Sequence, residues 1–213
     1  MKLPTHQQCL ELFDTYKVPL NIKEHCLKVN KIAVFLAKKL QESGVKINLD
    51  VVDRGSLLHD LFKIAAIENP YPNKFHKRAF TPEELAMRER LRQKYPGKFE
   101  NEIAYEELKE PYPKLALVLK KEGDPYNRTR NWEESIIHYV DMRTLRDDIV
   151  SLDARFAYFE EKYKRDDPFW SDYLPYCRQE EKKIFQHLSF KPEDLDKACG
   201  EALLWQGRII TQF

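Results

Sequence analysis

No stretch of this chain approaches the length of an apolar membrane span, and its start, Met1-Lys2-Leu3-Pro4-Thr5-His6, lacks the charged and apolar regions of a secretory signal. A soluble, cytoplasmic protein is expected. Glycine is scarce, with six in 213 residues, and neither an internal repeat nor a low-complexity tract is evident. The four cysteines, Cys9, Cys26, Cys177 and Cys199, are scattered without a Cys-x-x-Cys pair, which argues against zinc fingers and a disulfide scaffold and fits reduced thiols. An excess of one charge is also missing: 36 basic residues face 35 acidic ones, so no global field would draw nucleic acid.

What is present is enough apolar sequence, 42% of residues, to bury one substantial core. From Asn21 onward Ile22, Cys26, Val29, Ile32, Ala33, Leu36 and Leu40 form the stripe of an amphipathic helix, and His25 lies one turn from both Ile22 and Val29. A second helix is read over Val51 to Lys63 through Val52, Leu58, Leu61 and Phe62, with Gly55 admitting close approach of another helix. On it His59 and Asp60 would stand about 100° apart, able to share one ion over the edge between them. A third helix opens at Asn131-Trp132-Glu133-Glu134, a cap answered from its third position, and buries Ile136, Ile137, Val140 and Thr144. Asp141 sits one turn after Ile137 on or beside that apolar face, and His138 precedes it by three residues.

Buried ionisable groups need partners, and a metal would satisfy two imidazoles and two carboxylates together. The order His, then His-Asp, then a distant Asp, all on helices, resembles the HD superfamily of metal-dependent phosphohydrolases. Leu57-Leu58-His59-Asp60-Leu61-Phe62-Lys63 is similar to that family's apolar-apolar-His-Asp-apolar-x-Lys motif, and the match spans roughly Asn21 to Lys164. The resemblance implies an all-α fold, a compact helical bundle with His25, His59, Asp60 and Asp141 as metal ligands, and a phosphate ester or anhydride as substrate, often nucleotide-derived. Two-metal members carry further histidines before a helix comparable to Glu100–Leu108, but Glu100 stands where such a His would be. One divalent ion is therefore expected, with His76, Glu100 and His138 as candidate neighbours of the ligands or of substrate. Bacterial deoxynucleoside monophosphatases tend to place a carboxylate one turn after the His-Asp pair, where this chain has Lys63. Lys63 then either binds a substrate phosphate as a point charge or snorkels at a helix end.

Asp60 and Lys63 are the catalytic candidates, Asp60 as orienter of the attacking water through its second oxygen. Mixed nitrogen and oxygen ligands suit Mn, Fe, Co, Ni or Zn, and Mg is a poorer match. Thr81-Pro82-Glu83-Glu84 is a strong helix start, so residues 69–80 form a long loop after the His-Asp motif, whose Tyr71, Phe75 and Phe80 could be a substrate rim or hydrophobic anchors. Lys74, His76, Lys77 and Arg78, with Arg88, Arg90, Arg92 and Lys94, make the middle basic, for which a solvated helical face is the commoner explanation.

The phosphohydrolase domain is assigned to residues 1–164, and residues 165–213 to a helical extension packed on it. Trp170, Tyr173, Tyr176 and Trp205 there could pack inward or build a homodimer interface, and packing is the safer expectation. A catalytically silent nucleotide-sensing module, or a metal-free helical interaction protein, are the rival functions.

Overall fold

The computed structural model describes residues 2–74, 77–146, 148–163 and 169–200. These form an all-α fold with one minimal ribbon. The helices are α1 (His6–Thr15), α2 (Leu20–Glu42), α3 (Leu49–Leu58), α4 (Lys63–Ala66), α5 (Pro82–Lys94), α6 (Glu100–Leu108), α7 (Pro113–Glu122), α8 (Trp132–Arg143), α9 (Leu152–Tyr163) and α10 (Phe169–Phe185). Strands β1 (Thr144–Leu145) and β2 (Asp148–Ile149) pair antiparallel between α8 and α9. No helix among the described residues is long and apolar enough to cross a membrane.

Local sequence explains the helix starts. Thr81 caps α5 and Asn131 caps α8, each with a glutamate answering from the third position, so orphan amides are satisfied before the chain packs. The α2 stripe is buried along its whole length, from Ile22 to Leu40. This long helix packs along α3 and α8, while α7 lies against α6 and α8.

Two apolar clusters fill the interior. One joins α2, α8, α9 and α10 through residues such as Leu36, Tyr139, Phe156 and Ile184. The other joins the start of α2 to α1, α6 and α7 through Cys26, Phe13, Ile103 and Leu119. Their boundary crosses α2 between Cys26 and Val29, beside His25. Tyr173 and Cys177 of α10 belong to the first cluster, so the C-terminal segment shares a core with α2 and α8. Trp170 stacks on Phe159 at 5.1 Å, and Tyr173 lies against Phe156. Trp205 lies outside the described residues.

The structure corrects the second helix. It does not run to Lys63: α3 stops at Leu58, residues 59–62 form a turn, and α4 begins at Lys63. The cause is local. His59 Nδ1 lies 2.8 Å from the Ser56 carbonyl, the acceptor that a continuing helix would offer to the Asp60 amide. The chain then closes by three-residue bonds, from the Leu61 amide to the Leu58 carbonyl and from the Lys63 amide to the Asp60 carbonyl.

Gly55 does permit close helix approach. A Cβ there would lie 2.5 Å from Ile137 Cδ1, so this fully buried side chain would have to shift. Overpacking should outweigh the helix propensity gained, so Gly55→Ala is expected to destabilise by about 1–2 kcal/mol. A lower urea midpoint with an unchanged slope would show it, and a raised midpoint would refute it.

Candidate metal centre

Three elements converge here. His25 comes from the first turns of α2, His59 and Asp60 from the turn that ends α3, and Asp141 from the last turn of α8. The two Nε2 atoms of His25 and His59 face each other at 3.3 Å. Asp60 Oδ2 lies 3.9 Å from each of them. Asp141 Oδ1 lies 2.9 Å from His25 Nε2 and 3.7 Å from His59 Nε2. Donors around one ion at about 2.1 Å stand roughly 3.0–3.4 Å apart, so the His25, His59 and Asp60 atoms would have to contract to share a centre, and Asp141 stands against the two imidazoles outside that group. The His25, His59 and Asp60 group could hold a metal ion.

The orientation of His59 fits that use. Its Nδ1 is engaged by the Ser56 carbonyl, which leaves Nε2 facing the other donors, the arrangement that fixes the tautomer of metal-binding imidazoles. Ser56 also joins α3 to α2 through its side chain, as Asn30 Nδ2 donates to Ser56 Oγ and to the Asp53 carboxylate and carbonyl.

Charge in the metal-free centre is shared through hydrogen bonds. Burial opposes a proton on His59, but Cys26, Asp60 and Asp141 around the ring outweigh it and raise the imidazole well above 6.5. Burial likewise opposes ionisation of Asp141, and the hydrogen bonds of His25 and His59 with the Arg155 charge overcome it, holding the carboxyl well below its usual range. For Asp60, burial is overcome chiefly by Lys63 and His59, and the carboxyl is lowered.

The other sequence candidates divide. Lys63 lies 2.7 Å from Glu100 Oε1 and 3.5 Å from Asp60 Oδ1, so Glu100 joins the edge of the site through the lysine. Lys63 opens α4 and does not snorkel at a helix C-terminus; the two carboxylates hold its charge. His138 is not brought to the centre. It is buried with Nδ1 at 2.5 Å from Glu180 Oε2 and Nε2 on the Tyr173 hydroxyl, so it ties α8 to α10. His76 and Phe75 lie outside the described residues.

The loop of residues 69–80 is fastened at both ends of its described part. Phe80 is buried as an anchor, Tyr71 is exposed, and Lys74 bonds Glu161 of α9 at 2.6 Å. Most of the basic middle segment is exposed, including Lys77, Arg90, Arg92 and Lys94, and Arg88 alone of its described basic residues is buried. Arg78 pairs with Glu84, Arg88 donates to the Ile67 and Glu68 carbonyls, and Lys94 pairs with Glu107.

Two charged residues at the centre did not stand out in the sequence. Glu122, the last residue of α7, is 4% exposed. Burial pushes its carboxyl up to about 8; His59 and Arg130 act against the rise, and Asp141 and Asp60 add to it. Its signal was present, since Leu115, Leu119 and Glu122 share one helical face. Arg155 of α9 reaches to 3.7 Å from Asp141 Oδ1. It lies one turn after Leu152 and one before Phe159, both buried, so an arginine on an apolar face was legible there too.

No family model matches the chain, no curated protein matches it, and no solved structure matches its fold.

Proposed function

We propose that the chain is a phosphohydrolase of the HD type, with His25, His59, Asp60 and Asp141 holding one divalent metal ion and a nucleotide or related small phosphorylated metabolite as substrate. The observation that carries this reading is the facing pair of Nε2 atoms, 3.3 Å apart and flanked by two carboxylates, with His59 pinned by the Ser56 carbonyl. Four such groups in an interior are costly without a cation between them. A divalent ion of the Mn, Fe, Co, Ni or Zn type, held there, supplies Lewis acidity toward water and toward a phosphoryl oxygen.

The chain supplies the rest. Asp60 turns Oδ2 toward the imidazoles and Oδ1 toward Lys63. Oδ1 is then the atom that orients the attacking water and accepts its proton. The Lys63 charge keeps that carboxylate ionised at neutral pH, and Glu100 keeps the lysine in place. As water adds to phosphorus the bond to the leaving-group oxygen breaks, the proton taken by Asp60 passes to that oxygen, and Lys63 offers positive charge to the phosphoryl group.

The test combines metal analysis with turnover. The purified chain, stripped by chelator and reloaded singly with Mn, Fe, Co, Ni or Zn, is expected to bind about one ion. Loaded, it should release phosphate from at least one member of a nucleoside mono-, di- and triphosphate panel. A chain that takes up none of these metals overturns the proposal. Metal without turnover on any phosphorylated compound would favour the catalytically silent sensing module.

A further inference from the structure

We infer that Arg155 grips the phosphoryl group of the substrate beside the metal centre, an assignment that rests on the phosphohydrolase reading. Its guanidinium stands at the edge of the centre, where its charge also helps to keep Asp141 ionised. The side chain is 11% exposed and its terminal nitrogen Nη2 lies 3.7 Å from Asp141 Oδ1, too far for a hydrogen bond. Among the described residues the guanidinium makes no hydrogen bond at all, and its Nε is buried without a partner. A buried donor in that state is expensive unless something else accepts from it. Asp141 does not need the arginine as a partner, since His25 already lies at hydrogen-bond distance.

Aromatic rings also hold the group: the guanidinium carbon stands 4.5 Å from the Phe159 ring centroid and 5.9 Å from that of Tyr158. A planar fork held this way matches two non-bridging phosphoryl oxygens better than it matches a single carboxylate oxygen.

Charge points the same way. A divalent ion is neutralised by Asp60 and Asp141, and Lys63 is neutralised by Glu100. Arg155 is then a further cation beside the centre, 3.7 Å from Asp141 and with its buried Nε unpartnered among the described residues, that an anion can answer. The ligand class is a phosphoryl group presenting two free oxygens to the arginine.

The probe is inorganic phosphate, titrated into the full chain loaded with the metal that supports turnover. Arg155→Met keeps the aliphatic stem against Phe159 and removes the fork. It is expected to bind the same amount of metal, to lose roughly 30-fold or more in phosphate affinity, and to raise KM more than it lowers kcat. Arg155→Lys should recover only part of the loss. Unchanged phosphate affinity in metal-loaded Arg155→Met would overturn the assignment while leaving the phosphohydrolase reading intact. A wild-type chain that binds no metal would remove both. Should both variants misfold, phenylglyoxal modification of the wild-type chain serves instead: phosphate should protect Arg155 and leave the exposed Arg178 reactive, and no protection of Arg155 would refute the inference.

Discussion

His59→Ala is expected to abolish measurable phosphate release, a loss of at least about a thousandfold, together with the protein's response to metal. The substitution removes Nε2 from the 3.3 Å pair and also frees the Ser56 carbonyl that orients the turn. Losing an outer partner alone typically costs 10–100-fold in metal affinity, so losing a ligand should cost more. Thermal melting reports this without a substrate. Metal at about a thousand times its Kd should stabilise the wild-type chain by roughly 4 kcal/mol, and His59→Ala should show almost none of that gain. Equal metal-induced shifts in both proteins would sink the proposed centre.

The same residue sets the sign of a pH effect. In the metal-free chain His59 has its pKa raised above the unfolded value, so its protonated form adds stability below about pH 6.5 and that contribution is lost as pH rises through the raised value. Metal must displace that proton. Apparent metal affinity should therefore fall by about tenfold per pH unit below the raised value, and calorimetry should find about one proton released per ion bound.

Glu122→Gln is expected to stabilise the metal-free chain, by an increment that is near zero at pH 4–5 and grows to roughly 3 kcal/mol or more by pH 7.5–8. The folded carboxyl holds its proton up to about 8, whereas the unfolded one loses it near 4.5. Between those values the native state binds the extra proton, so stability falls with rising pH, and it stops falling above the folded value. Gln fills the same space and cannot ionise, so it removes the slope. Urea unfolding of both proteins between pH 5 and 8.5 checks this, and parallel stability curves would contradict it. Stability gained this way is independent of turnover, because Glu122 has been placed in no chemical step.

Helix starts and buried stripes were readable because they depend on neighbours three or four residues away. The caps at Thr81 and Asn131 and the α2 face from Ile22 to Leu40 follow directly from that periodicity. The end of α3 was not readable, since Leu58, His59, Leu61 and Phe62 keep helical spacing and the break comes from one imidazole taking a backbone carbonyl. The two-residue strands after α8 are too short to show an alternating pattern. At the site, His25, His59, Asp60 and Asp141 could each be placed on a segment, and Lys63 meets Glu100 across the fold. His138 shows the limit: its spacing from Asp141 left its direction open, and only the docking of α10 turns it toward Glu180 and Tyr173. Arg155 stands on an apolar stripe between Leu152 and Phe159, but only the docking of α9 against α8 brings it to Asp141.

The bond between His25 and Asp141 joins residues 116 positions apart. During synthesis at 5–20 residues per second, the first three polar groups of the centre emerge several seconds before the fourth. For that interval His25, His59 and Asp60 belong to a chain whose α8 has not been made, and the second wall of the centre does not exist. The centre is thus completed late, when α8 docks against α2 and α3. Were the centre to take an ion before that docking, the ion would lack Asp141.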